Sequence, residues 1–292
     1  MGFFTQQWDW WIQPFLDYGI LRDALFASLL TVICTSLVGS WITIRGLSFF
    51  AESLGHGILP GVAVAALLGG STILGAAISA GAFVVGMQTI RRFSPLPSDI
   101  VIGLLFVSSV ALAVLLLSRN RDTYLGDIHR FLFGNVLGIS GWDITQQAIV
   151  AGVILIVIVL FYRALMVASY NADAAELLGL RPRLVEIGLL VLLALAVVAS
   201  FRVVGSLLVF AFLIAPPATA SVFARRIPTM MLLSVLFGVF AVFLGLTFSY
   251  QWGVAASASM ALCSTAIFFL CLIGSSLWHR FAHASTAKRM SQ

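Results

Sequence analysis

Lysine is almost missing from this chain. It occurs once, at Lys288, so fifteen of the sixteen basic residues are arginine. A phosphate-cradling GxxxxGK[ST] loop needs its lysine, and Lys288 lies in the terminal AKRM. Nucleotide hydrolysis by that route is excluded. Charge of either sign is scarce, at 9% of 292 residues, against about 25% in soluble domains. No stretch is polar enough, for long enough, to build a separate soluble domain. Strict apolar–polar alternation is missing too, which excludes a membrane β-barrel. There are only three cysteines, Cys34, Cys263 and Cys271, all in apolar runs and none in a CxxC pair. That excludes a disulfide framework and a thiolate metal knot and leaves small core residues. The N-terminal MGFFTQQWDWWIQPF has neither the basic segment nor the short apolar segment of a cleavable signal.

What is present is apolar sequence, 61% of the chain. A membrane-spanning helix takes about 20 such residues, so the fold class is all-α, a polytopic membrane protein of eight to nine transmembrane helices. The spans are expected near Leu21–Ile44, Glu52–Leu68, Ile73–Ile90, Ile100–Leu117, Ala148–Val167, Leu184–Ser200, 203–226, Met230–Phe248 and Val254–Leu277. The seventh contains Pro216 and Pro217 and leaves the count open between a full and a half insertion. Gly69–Gly70–Ser71 reads as a turn, and Ser98 or Asp99 as a helix N-cap. The polar stretch 118–143 reads as a short amphipathic or re-entrant helix around Ile128–Phe133, lying at a membrane face. Residues 1–18, rich in tryptophan and phenylalanine, read as an interfacial segment, 19–278 as one transmembrane domain and 279–292 as a cytoplasmic tail.

The net charge of +5 is not a nucleic-acid signal. The arginines stand singly or in pairs at the ends of apolar runs, as the positive-inside rule places them. With Arg45, Arg91–Arg92, the 171–183 loop, Arg225–Arg226 and the C-terminal tail in the cytoplasm, the N-terminus falls outside. Arg119, Arg121 and Arg130 dissent.

The chemistry sits in RGLSFFAESLGHGILPG, residues 45–61. Glu52 and His56 are four apart and share one helix face. An ionisable group inside a bilayer costs roughly 2.5 kcal/mol or more, so such a pair marks function unless it snorkels to water at the helix end. The order Glu before His, with no second His at helical spacing, excludes the HExxH of zinc hydrolases. One Glu and one His are too few for a metal site, but a symmetric dimer supplies two of each, a set suited to Zn²⁺ or Mn²⁺. Pro60 removes the helical donor to the His56 carbonyl and kinks the helix there. NADAAELLGLRPR, with Asp173, Glu176 and the stop Gly179, and APPATASVFARRIP, expected as a short proline-flanked helix, are loops at the arginine face. They serve as plain connections or as docking points for a soluble partner. His129 reads as a surface residue, and His279 and His283 as part of the solvated tail.

RGLSFFAESLGHGILPGVAVAALLG resembles the second-helix motif of the zinc/manganese uptake permeases of ABC importers. SDIVIGLLFVSSVALAVLLLS, FLFGN, AELLGLRP and FRVVGSLLVFAFLIAPPATA match further blocks in the same order. The resemblance covers roughly residues 20 to 275. It implies a BtuC-like type II importer permease, working as a dimer of two copies. It also implies a cytoplasmic ABC ATPase subunit and an extracytoplasmic metal-binding protein as partners, with membrane lipid around it and no permanent cofactor. The implied cargo is Mn²⁺ or Zn²⁺, with Fe²⁺ as a further candidate, coordinated in transit by the motif's Asp and His, which fall on Glu52 and His56. Pro216, Pro217, Ala218, Ala220, Arg225 and Arg226, with Asp173, Glu176 and Gly179, are expected to couple to the ATPase. Two departures stand out. Glu52 replaces the commoner Asp, and SYQWGVAASAS lacks the Asp and Pro usual near the end. The rival readings are a permease for a metal chelate, which needs a wide and uncharged pathway, and a proton-driven secondary metal transporter with Glu52 as the proton carrier.

Overall fold

The computed structural model describes residues 15, 17–93, 97–118, 134 and 136–290, with side chains omitted at 92, 118, 137, 172, 202 and 276–290. Ten α-helices occur among them, with one 3-10 turn at Val136–Gly138 and no strand: α1 Gly19–Ile44, α2 Ser48–Gly57, α3 Leu59–Leu67, α4 Thr72–Phe93, α5 Ser98–Ser118, α6 Gly141–Tyr170, α7 Ala172–Leu177, α8 Pro182–Phe223, α9 Ile227–Trp252 and α10 Ala256–Met290. The expected helix at Ile128–Phe133 and the aromatic residues 3–11 lie outside the described residues.

α1 is the central post. It packs against α8, α9 and α6 and carries a buried polar set, Ser28, Thr31, Thr35, Ser36 and Ser40. Small residues let helices approach closely without a hydrophobic drive between them. Most of these hydroxyls donate one turn back: Thr31 to the Ala27 carbonyl at 2.9 Å, Thr35 to Thr31 at 2.8 Å and Ser40 to Ser36 at 2.8 Å. Buried Gln147 of α6 ties three helices, donating from Nε2 to Thr31 Oγ1 (3.2 Å) and to Ser200 Oγ (3.0 Å).

α8 is two helices joined by a reversal. Glu186 lies at the Arg45 end of α1, lining a cavity with it, and Ser200 reaches the Thr31 level through Gln147. A straight continuation would carry Leu213 past the start of α1. Instead a Cβ on Gly39 would overlap the Leu213 carbonyl and touch Pro217. The chain therefore doubles back, and Gly205, at φ 78° and ψ 165°, is where it turns. That backbone region is open to glycine alone. Gly134, itself at φ 65°, packs on the turn so tightly that a Cβ would overlap the Gly205 nitrogen.

Nine helical stretches among the described residues are long and apolar enough to cross a bilayer, including Pro182–Phe201 and Val203–Phe223 on either side of the turn. Among the described residues the candidate spans thus number nine, and the double-proline segment is long and apolar enough to cross in full. Residues 215–228 are not a short helix of their own, contrary to the sequence expectation. Pro216 and Pro217 lie inside α8, which runs on to Phe223. Proline is tolerated in a membrane helix when neighbours pack against the freed carbonyls, and Gly39 does this at Leu213. The helix stops only at Ala224–Arg226, where the backbone is extended.

Two boundaries also move. α5 begins at Ser98, putting Asp99 in its first turn rather than at the cap. α6 begins at Gly141, two turns before the expected Ala148. There Ser140 and Asp143 form a capping box, with Ser140 Oγ accepting from the Asp143 N–H at 3.3 Å. The expected turn at Gly69–Ser71 forms, with Gly69 at φ 66°.

The helix ends sort as the arginines require. Arg45, Arg91, Asp99, Ser169 and Glu186, from five separate segments, line one cavity of about 440 Å³. Arg91 Nη1 pairs with Glu186 Oε1 at 2.9 Å, and Arg45 Nε donates to Ser169 Oγ at 2.9 Å. Arg45 is half-buried. That burial draws its pKa below the usual guanidinium value, with Glu186 pulling the other way.

The tightest helix crossing is α3 on α4, where Gly61 and Gly75 each abut the other's carbonyl. Gly61→Ala is expected to lower stability by about 1–3 kcal/mol through overpacking. Gly81→Ala, with open space at its Cβ, should change it by no more than about 0.5 kcal/mol. Thermal melting of the detergent-solubilised protein checks both, and equal melting of the two variants would refute the crossing.

Candidate functional site

α2 and α3 are one kinked helix. α2 ends at Gly57 and α3 begins at Leu59, while Ile58 between them keeps helical angles, φ −76° and ψ −21°. The kink follows from Pro60, which has no N–H to give the His56 carbonyl. Ser79 of α4 supports it by donating to the Gly57 carbonyl at 2.7 Å.

Glu52 and His56 lie on the same face of α2, one turn apart. Glu52 is exposed, and among the described residues no hydrogen bond or ion pair reaches its carboxylate. His56 is half-buried between two aromatic rings. Phe106 of α5 meets it edge-on, at 5.2 Å between centroids and 84°, and Phe210 of α8 stacks on it at 5.7 Å and 21°. The flanking glycines make this possible. Gly55 leaves the space that the tip of the Phe210 ring fills, and Gly57 leaves the space for Phe83. A carboxylate free to reach outward and an imidazole held in plane by two rings form a donor pair, the imidazole already oriented.

The pair is incomplete as a metal centre. Among the described residues no group of three or more His, Cys, Asp or Glu side chains could hold an ion. On α2 one chain offers one carboxylate and one imidazole.

The residues expected to couple to an ATPase divide in two. Pro216, Pro217 and Ala220 are buried and Ala218 is half-buried, all inside α8, so a soluble partner does not reach them directly. Asp173, Glu176 and Gly179 are exposed, as are Arg225 and Arg226. Asn171 caps α7, its Oδ1 accepting from the Ala174 N–H at 3.0 Å, and Gly179 ends it at φ 74°. His129 lies outside the described residues, as do the side chains of His279 and His283. Sequence reasoning missed Phe106, Phe210 and Ser79. Phe210 lay within the block FRVVGSLLVFAFLIAPPATA, but helix spacing alone gives no sign that it crosses to His56.

Among the described residues, nine candidate spans without a strand, with an ionisable pair on a kinked helix, define a multi-pass membrane protein. Residues 17–275 match the ABC 3 transport family, and the chain belongs to it. It is 33% identical over 262 residues to the manganese transport system membrane protein MntC of Listeria innocua, covering 90% of this chain and 93% of that one. It is 33% identical to the manganese import system permease protein ScaB of Streptococcus gordonii (89% and 92% covered). It is 28% identical to a probable iron transport system membrane protein of Haemophilus influenzae (90% and 96% covered). Among solved structures it superposes on PsaBC from Streptococcus pneumoniae, in complex with Fab, with a TM-score of 0.81 at 31% identity, over 89% of this chain and 93% of that one.

The Gly55–Phe210 contact has a direct test. Gly55→Ala is expected to lose about 1–3 kcal/mol of stability. Adding Phe210→Leu, which removes the ring tip that the new methyl meets, should recover part of that loss. A double-mutant cycle on thermal melting reads the coupling, and strictly additive penalties would count against the contact.

Proposed function

We propose that this chain is the permease subunit of an ABC importer that carries a divalent transition metal, Mn²⁺ first, into the cytoplasm. The observation that carries the reading is the Glu52–His56 face of α2. It presents an unpaired carboxylate and a ring-held imidazole from a helix that is otherwise apolar between them and Leu67. Relatives named as manganese permeases, alignable over nine-tenths of the chain, support the choice of ion. Carboxylate and imidazole donors suit Mn²⁺ and Zn²⁺ and leave alkali ions poorly held.

Two copies facing each other across α2 would join two carboxylates and two imidazoles around one ion on the dimer axis. An extracytoplasmic metal-binding protein would deliver the ion there. A separate ATPase would dock on the exposed residues of the arginine end, Asp173, Glu176 and Gly179 around α7 and Arg225–Arg226 after α8. Through α8, whose Phe210 touches His56, movement at Arg225 would be passed to the site. Binding and closure of ATP would then alternate the access of the pair between the two faces.

Glu52→Ala and His56→Ala are each expected to abolish uptake, with expression and melting retained because neither side chain is core. The measurement is uptake in proteoliposomes holding the chain with its ATPase, with Mn²⁺, Zn²⁺ and Fe²⁺ offered together. Uptake at wild-type level in both variants would sink the metal role. Uptake by the chain alone, driven by a proton gradient and collapsed by an uncoupler, would replace this reading with the secondary transporter.

A further inference from the structure

A lipid-facing groove runs between α6 and the first half of α8. Phe161 and Leu165 form one wall, Leu184 and Leu192 the other, and Gly188 the floor; its volume is about 250 Å³. Leu184 to Leu192 is about 12 Å along a helix, the upper part of one acyl chain. The groove exists because position 188 is glycine. A Cβ there would meet nothing within 4 Å, so the space is open rather than filled by a neighbour. α6 and α8 are joined by a short connection and run antiparallel, which puts Leu165 and Leu184 at the arginine end of the groove and Val157 and Leu192 at the other.

Three arginines lie toward the Leu165 and Leu184 end of the groove. Arg181 stands one turn before Leu184 and Val185 on the same stripe of α8. Arg183 flanks it, and Arg163 is exposed on α6 between the groove-lining Phe161 and Ala164. All three are exposed, and among the described residues none forms an ion pair. Of the acids of this end, Glu186 is paired with Arg91, Asp99 lines the inner cavity, and Asp173 and Glu176 are exposed on α7, which packs against both α6 and α8. Basic residues at the cytoplasmic mouth of an interhelical pocket match the phosphate of an anionic lipid.

We propose that this groove binds one anionic phospholipid of the cytoplasmic leaflet, with an acyl chain laid over Gly188 and the phosphate held by Arg181, beside Arg163 and Arg183. The lipid would fill the seam between α6 and α8 next to Glu186, and so would brace the helix whose second half reaches His56.

The test is native mass spectrometry of the full chain released from detergent containing phosphatidylglycerol or phosphatidylcholine. The wild type is expected to retain one phosphatidylglycerol per chain and to keep it in preference to phosphatidylcholine. Gly188→Leu fills the groove without a clash and should lose the adduct. Arg181→Gln should weaken retention of phosphatidylglycerol by about fivefold, the scale of one basic residue at a headgroup, and leave phosphatidylcholine unchanged. Thermal melting of each variant without added lipid confirms that it folds. Equal retention of both lipids by the wild type, no retained lipid, or an unaltered adduct in Gly188→Leu overturns the proposal. A change in oligomeric state on filling the groove, with no change in lipid, also overturns it and assigns the seam to a second copy of the chain.

Discussion

Hydrocarbon offers no hydrogen bonds, so every backbone group in a span must find its partner within the protein. This fold depends on that constraint, and it is informative where the helical ladder is interrupted. Pro60 withholds the donor from the His56 carbonyl, Pro216 and Pro217 withhold theirs from Phe212 and Leu213, and Gly205 leaves the helix altogether. Each interruption is covered from a neighbouring element. Ser79 bonds beside the first, the bare backbone of Gly39 closes on the second, and Gly134 closes on the third. The covering groups come from α4, α1 and the segment before α6. Breaks in one helix therefore fix the positions of others, and the kink that carries His56 is locked into the rest of the bundle.

The polar residues of α1 follow the same logic. Thr31, Thr35 and Ser40 satisfy themselves one turn back and keep the helix surface small, which lets α8 lie close on both its passes. Gln147 is long enough to bond both α1 and α8, and it sets the level at which Ser200 stops before the reversal. Past the turn, the chain returns beside α1 and brings Phe210 against Gly55 and His56. The functional imidazole is thus oriented by a residue from the far side of a hairpin, and the same hairpin ends in the exposed Arg225–Arg226.

Much of this was legible in the residues. The run lengths gave the spans, the arginines gave a consistent inner end, and the cavity shared by Arg45, Arg91 and Glu186 gathers that end together. Gly179 read as a stop after Asp173 and Glu176, and the helix Ala172–Leu177 does end there, with Gly179 at φ 74°. The short helix expected at 215–228 was misread, because proline signals an end in water but is absorbed in a membrane helix when a neighbour covers the freed carbonyl. The start of α6 was placed too late, since Trp142 and Asp143 look polar to a hydropathy reading although Ser140 and Asp143 are a capping pair.

The sequence by itself determined that the chain is a bundle of membrane helices, which end faces the arginines, and that Glu52 and His56 share a face. These properties are local: they follow from run length, charge position and the 3.6-residue repeat. Only the tertiary structure decided that α8 folds back at Gly205, that Pro216, Pro217 and Ala220 are buried, and that Phe106 and Phe210 hold His56 in plane while Glu52 stays free. Those facts join residues fifty or more positions apart. Between apolar helices in lipid, the choice of partner rests on small residues and shape rather than on hydrophobicity, so the composition of any one span carries no record of which neighbour it meets.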